Sequence, residues 1–316
     1  MIEWGINALN HGSSLAVFKD GEYIDNVVST NNQLTPEMYK NFLEYQGTPD
    51  RIYWYEKPWL KKLRQVYAGQ YTTALDMSVL PKCKLKEWGL GYAPITYTPH
   101  HGSHAAAGYY TSPFNHCAVV VLDAIGEFEC ATIWEAKYGE MRKVWSRRYP
   151  NSLGLFYSAF TDLIGLTPIK EEYILQRLAA TGNPKKYHNN IKTYINGTLG
   201  LKKNLHKGVL DWPYSIDQWN NDRADIAAAV QQVFEEQVYA VMKTAKELIN
   251  TDCLVYMGGC AMNSTANKKV VEPMFNRIWS LSNPGDASSA LGAVMYHSKH
   301  RVKKEWDLVK HIEIKI

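Results

Sequence analysis

Apolar and polar positions alternate in short runs from residue 2 to residue 28. The pattern predicts strands over 2–7 and 14–18 and a third ending at Val28, punctuated by Asn10-His11-Gly12-Ser13 and Lys19-Asp20-Gly21-Glu22. Alternation on both sides of an Asp-Gly pair marks a hairpin. The same plan returns later, with a strand over 117–122, a polar loop Asp123-Ala124-Ile125-Gly126-Glu127, a strand over 130–135, a turn at Tyr138-Gly139-Glu140 and a third strand to Arg147. Each meander is followed by helical material. Between them, 51–55 reads as a short aromatic strand and 60–67 as a basic helix. Beyond the second, helices are expected from Ser152 through Leu163 and over 171–180, the latter stopped by Gly182 and Pro184. The strongest helical period covers 222–249, with Ile226, Val230, Val233, Val238, Val241, Ala245 and Leu248 on a buried stripe, and is expected to be scaffold. A buried-type strand over 253–257 then runs into Gly258-Gly259-Cys260-Ala261-Met262-Asn263.

A repeated strand-strand-strand-helix unit, each with a glycine-containing polar loop after its first strand, predicts an α/β chain with a duplicated two-lobed fold. It resembles the architecture of actin, Hsp70 and the sugar kinases, in which two lobes face each other across a nucleotide cleft. The expected division is an amino-terminal lobe over 1–114, a carboxyl-terminal lobe over 115–298 and a charged tail over 299–316. The two meanders share little residue identity, so two unrelated hairpins remain the alternative. A chain of 316 residues is long enough for either. Five cysteines without paired spacing argue for reduced thiols rather than a disulfide framework. The chain opens directly into strand pattern and contains no apolar run of spanning length, so a cytoplasmic protein with no membrane partner is expected.

The candidate chemistry centres on Pro99-His100-His101-Gly102-Ser103-His104. His100 and His104 are four apart, which on a helix places two imidazoles on one face within reach of one metal ion. The alternative is a capped helix with exposed histidines. Asp286, in the turn Asn283-Pro284-Gly285-Asp286, is the candidate oxygen ligand. Two nitrogens and a carboxylate suit Fe, Mn or Zn with positions open to substrate. The glycine pair Gly258-Gly259 between a strand and a helix lets backbone N–H groups approach a phosphate.

Net charge is only +4, but it is uneven. Lys185, Lys186, Lys192, Lys202, Lys203 and Lys207 fall in one stretch without an acid, interleaved with Tyr187, His188 and Tyr194. The stretch is a candidate basic surface or an ordinary solvated loop. Glu171 and Glu172 open their predicted helix, where carboxylates suit the helix dipole.

Eight stretches in order carry a resemblance to the NodU/CmcH carbamoyltransferase family, specifically its amino-terminal catalytic domain, which is similar in fold to the universal tRNA threonylcarbamoyl-adenosine synthase. They are Asn10-His11-Gly12-Ser13-Ser14, Tyr55-Glu56-Lys57-Pro58, His100 to Ala106 with Tyr110-Thr111-Ser112-Pro113-Phe114, Asp123 with Gly126-Glu127, Ser152-Leu153-Gly154, Asp225-Ile226-Ala227-Ala228, Gly258 to Asn263, and Pro284-Gly285-Asp286 with Ala290-Leu291-Gly292-Ala293. The resemblance implies that His100, His104 and Asp286 hold a divalent metal, with Asp123 a further ligand. It implies nucleotide contacts at Gly258, Gly259 and Asn263, donor or nucleotide contacts at Gly126, Glu127 and Glu172, and a catalytic His11 facing the carbamoyl group. The implied substrates are ATP and carbamoyl phosphate, joined as a carbamoyl adenylate.

The chain departs from the family where Ile174 stands for a lysine, Arg177 and Ala124 for glycines and Gly12 for an aspartate. It also ends before the YrdC-like domain of long members. The expectation is therefore that a separate adenylate-forming protein supplies the donor, or that this site makes it. Lysines with aromatic faces are the ingredients for gripping a strand and stacking a displaced base. The preferred acceptor is accordingly a hydroxymethylated pyrimidine such as 5-hydroxymethylcytosine in DNA, as a virus uses in its host's cytoplasm, with a small-molecule or sugar hydroxyl as the alternative. A non-catalytic nucleotide-binding partner is the reading from another class.

Overall fold

The computed structural model describes residues 1–9, 12–29, 34–214 and 222–302, together with the backbone of 312–315. His11 lies outside the described residues, as does most of the tail. Two mixed sheets carry the chain. The first has the order β3-β2-β1-β4-β5, built from β1 (Ile2–Asn7), β2 (Ser13–Lys19), β3 (Glu22–Ser29), β4 (Arg51–Trp54) and β5 (Ile95–Tyr97). The second has the order β11-β10-β9-β6-β7-β8, built from β6 (His116–Gly126), β7 (Glu129–Lys137), β8 (Glu140–Arg148), β9 (Cys253–Met257), β10 (Arg277–Ser280) and β11 (Ile312–Lys315). In each sheet an antiparallel meander leads to a parallel pair on the far side of its first strand: β1 pairs β4 and β6 pairs β9. Apart from β11, an added antiparallel edge on β10, the two sheets have the same topology. The duplication expected from the paired meanders is therefore real.

The last helix of each repeat covers the other repeat's sheet. Helix His100–Thr111 follows β5 but packs on β6, β7 and β9, and helix Ser289–Ser298 follows β10 but packs on β1, β2 and β4. Every residue of His100–Thr111 is buried, its alanines and glycines letting neighbouring elements close in around the histidines and tyrosines. The two helices also pack on each other. They approach so closely that a Cβ at Gly292 would lie 1.8 Å from the carbonyl oxygen of Ser103. One core, with Trp4, Ile6 and Trp54 from the first sheet and Val119, Val121, Val255 and Met257 from the second, fills the space around this pair. A second core lies on the other face of the second sheet, under helices Leu153–Leu163 and Arg223–Leu248. The latter buries Ile226, Val230, Val233, Val238, Val241 and Ala245, as its period requires. Among the described residues no helix is long and apolar enough to cross a membrane.

Two local expectations change. The polar segment after residue 122 is not a free loop, because β6 continues to Gly126 through an irregularity in its ladder with β7. A bulge of this kind re-aims side chains at the end of a strand, and here it turns out Asp123. The lysine-rich segment is not a solvated loop either. It is pinned by short turns at Pro184–Lys186 and Leu205–Lys207, a helical turn at His188–Lys192 and a bridge between Ile195 and Leu201.

Candidate active site

Four side chains converge where the two crossing helices begin. Helix His100–Thr111 projects His100 and His104 from successive turns, and their Nε2 atoms lie 3.1 Å apart. Asp123, from the bulged end of β6, places Oδ2 3.2 Å from His100 Nε2. Asp286, in the first turn before helix Ser289–Ser298, places Oδ1 3.2 Å from His104 Nε2 and 3.3 Å from His100 Nε2. One ligand atom from each of the four residues lies within 4.8 Å of every other.

The histidines are almost wholly buried, at 1% and 0% exposure. Burial alone would strip charge from every member. The opposite charges reverse it. Against burial, the carboxylates of Asp286 and Asp123 hold His100 well above the ordinary histidine value. Against burial, His100 pulls Asp123 down to about 2 and Asp286 well below the usual carboxylate range. The Nδ1 atoms of His100 and His104 have no hydrogen-bond partner among the described residues, so packing, including the Tyr55 ring 5.3 Å from that of His100, sets the imidazole planes.

This arrangement fits a divalent cation. Two buried carboxylates and two imidazole nitrogens aimed at one point offer a compact N₂O₂ donor set. Four of the six donor separations, at 3.1 to 3.3 Å, match the edges of a coordination polyhedron, about 3.0–3.5 Å for bonds of about 2.0–2.2 Å, and the other two stay within 4.8 Å.

The other expected site residues divide into two groups. Gly259 belongs to the centre, since its N–H donates to Asp123 Oδ1 at 3.0 Å. Gly258 has φ +92° and its N–H donates to the Pro284 carbonyl, so the glycine pair ties β6, β9 and the Asp286 segment together. Gly126 makes room for the histidines: a Cβ there would lie 2.3 Å from His100 Cδ2 and 2.8 Å from His101 Cδ2. Glu127 is buried at a left-handed φ of 59°, and its Oε1 accepts from the Lys57 N–H at 2.6 Å and the His100 N–H at 3.4 Å. Burial, only partly offset by those donors, raises its carboxyl to about 7. It straps the Tyr55-Glu56-Lys57-Pro58 segment to the helix carrying the histidines.

Asn263 and Glu172 are engaged within the protein. The Asn263 side chain caps the following turn by accepting from the Ala266 N–H at 3.0 Å and exchanges two hydrogen bonds with buried Gln231. Glu172 accepts from the Ser158 hydroxyl at 2.7 Å and from the Ile169 N–H. Beside the Gly258 loop a cavity of about 210 Å³ is lined by Tyr256, Ala261, Met262, Asn267 and Pro284.

The lysines are all exposed but do not form one free basic face. Lys186 pairs with Asp222 and Asp225, Lys192 with Glu236, and Lys203 with Asp211. The acids come from helix Arg223–Leu248, the residue before it and the chain just beyond Lys207, where a local count of charge does not see them. Tyr187 and Tyr194, at 2% and 5% exposure, face the core. Asn7 is a site residue that sequence reasoning passed over. Its Nδ2 donates to the Asp286 carbonyl at 2.7 Å, and a neutral residue ending a strand carries no signal of such a role.

A family model described as carbamoyltransferase N-terminus matches residues 20–295. The chain belongs to this family. Relatives of this carbamoyltransferase-family chain include an uncharacterized protein of Synechocystis sp., 27% identical over 92% of the chain and 56% of the relative. Another is nodulation protein NolNO of Sinorhizobium fredii, 24% identical over 92% of the chain and 47% of the relative. The chain thus spans about half the length of these curated relatives. Among solved structures it is similar to component A of the (R)-2-hydroxyglutaryl-CoA dehydratase of Acidaminococcus fermentans, with a TM-score of 0.53 at 14% identity, covering 95% of this chain and 99% of that one. The activator of the 2-hydroxyisocaproyl-CoA dehydratase from Clostridium difficile, with bound ADPNP, gives 0.51 at 12% identity over 94% of each chain. These likenesses concern the fold, which is the duplicated actin, Hsp70 and sugar-kinase type.

Proposed function

We propose that this chain is an O-carbamoyltransferase, moving a carbamoyl group from an ATP-derived carbamoyl adenylate to a hydroxyl. The observation that carries the reading is the convergence of His100, His104, Asp123 and Asp286 next to the Gly258-Gly259 loop in a chain of the carbamoyltransferase family. These four residues would hold a divalent ion, with iron first and manganese or zinc as alternatives. Bound there, the ion supplies positive charge that polarises a carbamoyl oxygen or clamps a phosphate.

The chain's own groups do the rest. ATP is proposed to lie along the Gly258 loop, with its base toward the 210 Å³ cavity, in keeping with the nucleotide analogue bound by the structurally similar activator. Carbamoyl phosphate supplies the carbamoyl group: hydrolysis would give carbamate and phosphate, and a carbamate oxygen would then bond to the α-phosphorus of ATP as pyrophosphate leaves, at this site or on a separate adenylate-forming protein. In the transfer step the acceptor oxygen bonds to the carbamoyl carbon, the bond from that carbon to the phosphate oxygen breaks, AMP departs with the electron pair, and the hydroxyl proton passes to a base. His11 is proposed as that base, on the resemblance alone. Glu127 and Asn7 position the centre by holding the His100 and Asp286 backbones.

Between the two acceptor readings, the structure favours a compact hydroxyl compound, because the tyrosines expected to stack a displaced base are buried and three of the six lysines are paired. The hydroxymethylpyrimidine in DNA keeps Lys185, Lys202 and Lys207 in its support, which are exposed with no ion pair among the described residues. Mass spectrometry of sugars, hydroxymethyl nucleosides and hydroxymethylated DNA, incubated with the chain, carbamoyl phosphate, ATP and a divalent metal, tests the reading. A carbamoyl increment on one acceptor class supports it. ATP binding without any carbamoylated product would favour the non-catalytic nucleotide-binding reading.

A further inference from the structure

A second cavity, of about 350 Å³, lies between β2, β3 and residues 281–291. Its volume is within the usual range of about 300–1,000 Å³ for small-molecule sites. It is separated from the nucleotide-side cavity by one stretch of chain: Leu281 lines both, Pro284 faces the first and Asn283 the second. That stretch leads directly into Asp286. The donor side, the candidate metal centre and this cavity therefore meet along residues 281–288.

The lining selects a chemistry. None of its twelve residues carries a formal charge. Leu15, Val27 and Leu291 give apolar walls, and Ser14, Asn26 and Ser288 give neutral polar groups. A charged ligand would lose its hydration here without gaining a counter-charge, whereas a neutral one with a few hydroxyls would not. Ser14 is 1% exposed, lines the cavity, and its hydroxyl has no hydrogen-bond partner among the described residues. Buried hydroxyls in folded proteins are nearly always satisfied, so an orphan facing a cavity marks a place for a ligand atom. Ser14 is the cross-strand partner of Asn7, and such partners present side chains on one face. The Asn7 carbonyl Oδ1 is buried and likewise has no partner among the described residues, while its Nδ2 holds the Asp286 backbone. A donor and an acceptor thus stand side by side, one residue contact from the centre, where a hydroxyl needs one of each.

We propose that this cavity binds the acceptor as a neutral, ring-sized molecule bearing a hydroxyl, received by Ser14, beside Asn7 and next to Asp286. The proposal rests on the carbamoyl-transfer reading for the word acceptor, though not for the binding itself. A neutral sugar and an unstacked hydroxymethylpyrimidine share this chemistry.

Saturation-transfer NMR on the full chain without donor tests it, using glucose and 5-hydroxymethyl-2′-deoxycytidine as neutral probes and glucosamine and glucose 6-phosphate as charged ones. Binding of a neutral probe is expected, with charged probes at least tenfold weaker. Val28→Trp, at the half-exposed mouth, should weaken the neutral probe at least tenfold, and Ser14→Ala by about three- to tenfold, the worth of one hydrogen bond. Displacement by a hydroxymethylated oligonucleotide rather than by glucose assigns the source to DNA, and the reverse assigns a sugar. Equal binding of charged and neutral probes, no binding of either, or indifference to both variants in a chain with unchanged melting overturns the cavity. Probe binding with no carbamoyl transfer in the complete system would sink the transfer reading alone. Transfer with an unchanged acceptor KM in Val28→Trp would sink the cavity alone.

Discussion

The two repeats share a topology and divide the chemistry unequally. The first contributes only nitrogen donors, His100 and His104, and the second only carboxylates, Asp123 and Asp286. The last cross-strand pairs, Ile6 with Trp54 and Val121 with Met257, align Asp123 with Ala8 of the first repeat. At that point the first repeat offers a methyl group and the second a charge. The crossing helices differ in the same way, one opening with His100 and the other preceded by Asp286. Duplication therefore accounts for the frame, while the centre depends on positions where the copies disagree. Neither repeat contains the whole site.

The largest expected effect breaks the site from either side. His104→Ala and Asp286→Ala should each abolish stoichiometric binding of a divalent ion and lower the proposed carbamoyl transfer about a hundredfold or more, beyond what loss of an outer-shell partner costs. Metal analysis and far-ultraviolet circular dichroism check it. Loss from one side only would mean that the repeats do not share the ion.

A smaller effect is expected where the repeats touch. Gly292→Val would press a side chain onto the Ser103 carbonyl, for which even a Cβ leaves only 1.8 Å, and overpacking of this kind costs about 1–3 kcal/mol. Denaturant titration should show the loss. A parent-like midpoint would mean that the crossing helices can slide apart freely.

The smallest concerns His297, on the second crossing helix, which stacks 5.2 Å from Tyr53 and lies 3.1 Å from Thr98 Oγ1, both in the first repeat. Burial first, then Arg51 and Lys57, lower its pKa from the ordinary 6.5. The native state thus takes up the proton less readily than the unfolded chain. The contribution is present above the unfolded value and is lost as pH falls below it. The melting temperature of His297→Gln should accordingly fall less steeply than that of the parent between about pH 7 and pH 5, and parallel curves would remove His297 as a source of acid sensitivity.

What could be read from the chain follows the range of the forces involved. The His100/His104 pair was legible because four residues make one helical turn, and the duplicated meanders because alternation and Asp-Gly turns act locally. Asp286 is legible as a carboxylate in a tight turn before a small-residue helix, whereas Asp123 enters only through resemblance to known motifs, since nothing in its own neighbourhood says that it meets the histidines. Tyr187 and Tyr194 were misjudged as stacking faces because irregular backbone has no period from which to tell inside from outside. The lysines looked unopposed because their acids, among them Asp222, Asp225 and Glu236, follow at a distance in sequence. Glu127, expected at a donor or nucleotide contact, also reaches the Lys57 N–H, seventy residues away, a strap that no local pattern announces.

The exchange of closing helices has a consequence for how the molecule can come apart. Each sheet is roofed by a helix that belongs, in chain order, to the other. Severing the link between Thr111 and His116 would leave each fragment with an exposed apolar sheet face and an orphaned helix, unable to bury either alone. Mixed together, the fragments would supply each other's missing roof. The link is thus dispensable in principle once both pieces are present, and the two halves behave as clasped hands, held by interlocking and not by the short span of chain that joins the wrists.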